Sequence, residues 1–142
     1  MPHNLRHAQE ALRAALGPEA LKTVVFSSTI EEAVRSADLA IDCVPDELES
    51  KLEILWLLDR MAPPRTVLAT PTTRLSIADL ANCTYRPDKV VAVAVEAASF
   101  VAGAGPEITL RTTSRTAPGT VALLDEFWRR LKFRPSFVLE GE

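Results

Sequence analysis

A chain of 142 residues with 47% hydrophobic and 25% charged side chains has the size and composition of one globular domain. A net charge of -3 argues against nucleic acid and anionic membrane as partners, since both call for a basic face, and the apolar runs are too short to span a bilayer. The opening Met1-Pro2-His3-Asn4 lacks the charged-then-apolar pattern of a secretory leader, so a cytoplasmic location is expected.

Residues 4–16 read as a helix. Leu5, Leu12 and Leu16 recur at helical spacing, Asn4 is placed to cap the start, and Gly17-Pro18 ends it. His3 and His7 share one face of that helix, but no third ligand type accompanies them, so no metal centre is expected. Residues 23–28 (TVVFSS) are β-branched and aromatic, the pattern of a strand. Ser28 with Glu31, or Thr29 with Glu32, forms a capping box for a short helix running to about Ser36. Residues 38–44 (DLAIDCV) form a second strand, and their nearly continuous apolar character suits burial on both faces. Residues 46–61 make the clearest helix, with Leu48, Leu52, Leu55 and Trp56 on one stripe and Pro63-Pro64 as the stop.

Residues 66–70 give a third strand, residues 76–82 a short helix with Ser76 and Asp79 at capping positions, residues 89–95 (KVVAVAV) a fourth strand and residues 108–112 a fifth. The polar stretch 112–119 is a surface loop. Residues 118–132 are a helix with Val121, Leu124, Trp128 and Leu131 on one face, and residues 137–139 close as a strand. Cys43 and Cys83 have no metal-ligand spacing and are expected as reduced thiols. Strand and helix alternate with short connections and no linker. That predicts a single α/β domain over residues 1–142: an open, mostly parallel sheet with helices on both faces.

Four segments carry a family resemblance. Residues 36–51 (SADLAIDCVPDELESK) are similar to "ADLVIEAVPEDLELK". Residues 58–63 and 67–77 (LDRMAP, VLATPTTRLSI) are similar to "LDRIAPPDAILATNTSSLSI", and residues 86–91 (RPDKVV) to "RPERVIG". Together they resemble the NAD-binding domain of 3-hydroxyacyl-CoA dehydrogenases, over about residues 5–140. The resemblance implies a Rossmann-like sheet and NAD as the family cofactor. It places Asp46 and Lys51 near the nicotinamide ribose and the substrate-binding hydroxyl at Thr73, with Pro71 where the family has asparagine. The glutamate that orients the catalytic histidine falls at Glu107. Read without the resemblance, Asp46 is a helix N-cap, Lys51 an exposed helix position, and Thr73 a loop-stabilising hydroxyl. Arg74, Arg111 and Arg115 form a group able to attract an anionic CoA or phosphate.

The departures from the family pattern matter more. Intact members begin with a strand, G-x-G-x-x-G and a helix, whose backbone holds the pyrophosphate. That first βαβ unit is not found here, and Gly103-Ala-Gly105-Pro106 is no substitute. Counting from Arg86-Pro87, the general-base histidine of "GMHFFNP" falls at Ala94, its asparagine at Ala97 and its second phenylalanine at Glu96. A methyl group accepts no proton.

The expected protein is therefore an incomplete Rossmann-like domain, catalytically inactive, that acts as a binding or oligomeric interaction module. It has no cofactor beyond the NAD implied by resemblance, and an acyl-CoA or nucleotide is its candidate ligand. The alternative is an NAD-dependent 3-hydroxyacyl-CoA oxidoreductase that takes its nucleotide loop from a partner chain. With the family strand order 3-2-1-4-5-6, residues 23–28 and 38–44 would flank a gap. A bare apolar strand edge invites aggregation. Two repairs are expected: residues 23–28 pair directly beside residues 38–44, or another subunit of a homo-oligomer covers the edge.

Overall fold

The computed structural model describes residues 2–95 and 107–141, with side chains from Asn4 onward. Glu96, Ala97, Gly103, Gly105, Pro106 and the side chain of His3, all singled out above, lie outside the described residues.

The strands are β1 (Leu39–Ile41), β2 (Val67–Pro71), β3 (Val90–Val93), β4 (Glu107–Thr112) and β5 (Arg134–Leu139). They form one sheet in the order β1-β2-β3-β4-β5. β1, β2 and β3 run parallel, β4 is antiparallel to β3, and β5 is parallel to β4. The helices are α1 (Pro2–Ala15), α2 (Pro18–Leu21), α3 (Ile30–Val34), α4 (Leu48–Met61), α5 (Ile77–Asn82) and α6 (Pro118–Arg130), with a 3-10 turn at Pro87–Lys89. The expected open, mostly parallel α/β sheet is present.

The apolar runs of β2 and β3 follow from burial on both faces. Leu68, Val90 and Ala92 pack with Val34, Leu55, Leu58, Ile77 and Leu80 on the side of α3, α4 and α5. Val67, Ala69, Val91 and Val93 pack with Ile108, Leu110, Leu124 and Trp128 on the side of α6. β4 alternates instead, with Ile108, Leu110 and Thr112 buried and the residues between them outward. Two helix starts match their sequence signals, since Thr29 Oγ1 accepts from Glu32 N–H and Ser76 Oγ from Asp79 N–H.

Arg86 locks the amino ends of β2 and β3. Its guanidinium is buried and donates to Asp59 Oδ1 at 2.8 Å and to the carbonyls of Asp59, Ala62, Pro63 and Thr66. The second carboxylate oxygen of Asp59 accepts from Tyr85 N–H at 2.8 Å. Every donor of the fork that reaches inward thus meets an acceptor, which is what a buried charge requires.

Residues 23–28 correct one expectation. They form no strand, and none of the described side chains from residue 4 to residue 33 is buried. The segment leaves α2 through turn bonds, Thr23 N–H to Ala20 O and Val24 N–H to Leu21 O, and Val25 remains 85% exposed. β-propensity is local, whereas a strand exists only where a partner edge is available. The first repair is therefore ruled out: residues 23–28 do not pair with β1, whose ladder runs on the β2 side. β1 is also shorter than residues 38–44, because its ladder stops at Ile41↔Ala69 and the Asp42 carboxylate turns to the next loop.

Candidate functional site

At the carboxyl ends of β1 and β2, two loops lie side by side. Residues 42–47 lead into α4 and residues 72–76 lead into α5. Ligands of open α/β sheets bind at this end, where loops diverge from the strands. Asp46 ties the two loops together. Its carboxylate accepts from Thr72 Oγ1 and, at 3.1 Å, from Thr73 N–H, while its carbonyl accepts from Arg74 Nη2 at 2.6 Å. Thr72 Oγ1 in turn accepts from Leu75 N–H at 3.1 Å, and Thr72 N–H donates to Val93 O at 3.0 Å, which hangs the loop on β3. Arg111 braces it from β4 through Thr72 O at 3.1 Å. Burial alone pushes the Asp46 carboxyl up, but the bonds from Thr72 and Thr73 and the charges of Lys51 and Arg74 outweigh it and hold it below the usual carboxylate range.

Between the loops is a cavity of about 600 Å³ lined by Cys43, Val44, Pro45, Asp46, Pro71, Thr73 and Arg74. Asp46 and Thr73, singled out from sequence, therefore meet in one place. The N-cap reading of Asp46 is corrected: Glu47 holds that position, with no side-chain capping bond, because the Asp46 carboxylate is spent on the neighbouring loop. Burial pushes the Cys43 thiol up, the Asp42 charge adds to this and Lys51 opposes it, so a protonated thiol faces the cavity at neutral pH.

The other sequence candidates fall elsewhere. Lys51 is not an exposed helix residue. It is fully buried and donates to Asp42 Oδ1 at 2.8 Å, with 1% exposure of each side chain. Asp42 Oδ1 also accepts from Val44 N–H, whereas its Oδ2 is buried with no hydrogen-bond partner among the described residues. Glu107 is exposed on β4 and pairs with Arg134 at 3.3 Å, away from the cavity lining. Ala94 follows directly after β3, with its N–H on Thr109 O. The arginine group disperses, since Arg111 engages Thr72 O and Glu140, and Arg115 engages Asn82. Arg74 alone of the three lines the cavity. Asp42 was missed, although one acidic residue inside an apolar strand with a lysine nine residues on (42 to 51) was a readable signal.

The described residues do not by themselves fit a whole dinucleotide. The described glycines, Gly17, Gly119 and Gly141, all lie outside the cavity lining, so none brings its backbone to a diphosphate there. Lys51 is consumed by Asp42, and the Asp46 carboxylate by Thr72 and Thr73. Among the described residues no group of three or more His, Cys, Asp or Glu is arranged to hold a metal, and no helix is long and apolar enough to cross a membrane.

Residues 4–135 match the family model described as 3-hydroxyacyl-CoA dehydrogenase, NAD binding domain. A stretch of 71 residues is 37% identical to a probable 3-hydroxybutyryl-CoA dehydrogenase of Bacillus subtilis, covering 50% of this chain and 24% of that enzyme. A longer match, 28% identical over 129 residues, covers 91% of this chain and 41% of the 5-formyl-3-hydroxy-2-methylpyridine 4-carboxylate 5-dehydrogenase of Mesorhizobium japonicum. In fold, the chain superposes with TM-score 0.77 on a 3-hydroxyacyl-CoA dehydrogenase from Archaeoglobus fulgidus, at 24% identity over 96% of this chain and 46% of that one. The chain thus spans less than half the length of these relatives.

Proposed function

The chain belongs to the family of the 3-hydroxyacyl-CoA dehydrogenase NAD-binding domain, and from that premise we propose that it is a ligand-binding domain without the family's proton-transfer chemistry. One observation carries this reading: Ala94 stands directly after β3 where the family pattern has its general-base histidine. Oxidising a 3-hydroxyl needs an acceptor for its proton, and an alanine methyl has no lone pair to offer. Glu107 is no replacement, since it is exposed and paired with Arg134. What the domain keeps is the pocket between the loops, with the Thr73 hydroxyl and the Asp46 tether still in place.

The experiment is an absorbance assay of NADH with acetoacetyl-CoA on the purified chain. No NADH consumption is expected, and Ala94→His alone is not expected to start it, because this sequence holds no G-x-G-x-x-G to cradle the diphosphate. Turnover by the unaltered chain overturns the reading. Turnover only when a chain carrying the glycine-rich unit is added favours the oxidoreductase reading instead.

The interaction side of the proposal rests on β1. Its free edge borders a groove of about 440 Å³ lined mainly by apolar side chains, among them Ile30, Val34, Leu39, Ile41 and Ile54. A second copy of the chain is the proposed cover, since one strand edge pairs with itself about a two-fold axis. A concentration-independent monomer in sedimentation analysis contradicts it.

A further inference from the structure

The pocket between the loops carries a cation that the family pattern does not. The family string aligned above reads NTSS where this chain reads Pro71-Thr72-Thr73-Arg74, so an arginine stands in place of a serine. Arg74 is held at the cavity wall by one bond, from Nη2 to the Asp46 carbonyl at 2.6 Å. A guanidinium has five N–H donors in a planar fork, so most of this one remains available. Among the described residues Arg74 forms no ion pair. Its nearest acidic neighbour in the lining, Asp46, directs both carboxylate oxygens at Thr72 and Thr73. Arg111 differs in this respect, because Glu140 and Thr72 O already occupy it, and Arg115 lies outside the cavity lining.

We propose that Arg74 makes this pocket a receptor for a small carboxylate, with the Thr73 hydroxyl as a second contact and Val44, Pro45 and Pro71 as the apolar wall. The inference rests on reading the pocket as a ligand site, and it names the ligand class. Planar bidentate pairing is the geometry in which a guanidinium recognises a carboxylate best. A neutral thioester carbonyl in the same position accepts one hydrogen bond and brings no charge to the guanidinium. The Thr73 hydroxyl has no protein partner among the described residues, and its backbone N–H is fixed on Asp46, so it is free to donate to a ligand oxygen. The tether of Arg74 to Asp46 preorganises the fork before a ligand arrives.

The test is a titration followed by NMR of the amides of Thr73 and Arg74 and the Arg74 side chain. The probes are acetoacetate, its uncharged methyl ester and inorganic phosphate. Acetoacetate is expected to shift these signals saturably and the ester is not. Arg74→Ser, which restores the family's small side chain at an exposed position, is expected to weaken acetoacetate by roughly 10- to 100-fold. Arg74→Lys recovers part of the loss by keeping charge without the fork. Equal binding of acid and ester, no response to acetoacetate, an unchanged affinity in Arg74→Ser, or tighter binding of phosphate than of acetoacetate overturns the proposal. None of these readouts depends on turnover, so the carboxylate assignment and the absence of catalysis stand or fall separately.

Discussion

Arg86 and Lys51 are both buried cations paired with a carboxylate at 2.8 Å, and they sit at opposite ends of the same β–α–β crossover. At the amino ends of β2 and β3, Arg86 meets Asp59 and four main-chain carbonyls, and Asp59 uses both of its oxygens. At the carboxyl end of β1, Lys51 meets Asp42 through one oxygen, and the other is left without a partner among the described residues. The first end is closed by the protein's own backbone. The second lies beside loops whose polar groups still have capacity. A scaffold is finished where nothing binds, and a site keeps unspent hydrogen bonds where something does.

The largest effect expected from breaking this contrast is at Arg86. Arg86→Ala strands Asp59 and the four carbonyls together and should cost about 3–5 kcal/mol in urea unfolding. Replacing both partners, Arg86→Met with Asp59→Leu, should recover little, because the carbonyls still lose their donor at about 1 kcal/mol each. At the other end, Lys51→Met alone should cost about 3 kcal/mol by isolating the buried Asp42 charge. Asp42→Asn with Lys51→Met should return to within about 1 kcal/mol of the parent, because that pair supports little besides itself and the Val44 turn. If both double variants behave alike, the two ends are not distinct.

A smaller effect is expected from pH. Asp46 has a folded pKa below its unfolded value, near 3.9 for an unperturbed aspartate. A depressed carboxylate contributes stability that is present above the unfolded pKa and is lost as pH falls through the folded pKa. The Thr73 amide should therefore keep its bonded chemical shift at neutral pH and lose it only in strong acid. The destabilisation caused by Asp46→Asn at neutral pH should vanish in the same range. Loss of the bond already at mildly acidic pH contradicts the assignment. Smaller still, and remote from both ends, Lys132 closes α6 at φ 69, a left-handed conformation that costs a side chain and not a glycine. Lys132→Gly should stabilise the chain by about 0.5–1 kcal/mol, read as a raised Tm.

The sequence revealed the periodic parts of the molecule and missed those that depend on a partner elsewhere. β2, β3, α4 and α6 were legible because burial on both faces or on one stripe writes a continuous or 3.6-residue pattern into the chain. Residues 23–28 carry the composition of a strand, yet nothing in a local window says whether an edge is available to pair with. Asp46 and Thr73 were found together because the family pattern marks both. Their joining bond was not visible, and it runs across 27 positions, from residue 46 to residue 73. Lys51 was misread for the same reason. Its helical position is ordinary, and only the turn of the chain after β1 sets Asp42 against it.

Native-state hydrogen exchange compares the two ends most directly. The amides of Tyr85 and Arg86, bonded to Asp59 and Thr84, are predicted to open only with the whole fold. The amides of Val44 and Thr73, bonded to Asp42 and Asp46 at the site end, are predicted to exchange through local opening at much lower free energy. Equal protection at both ends, or a site end more protected than the Arg86 end, would contradict the division of this domain into a sealed scaffold and an open site.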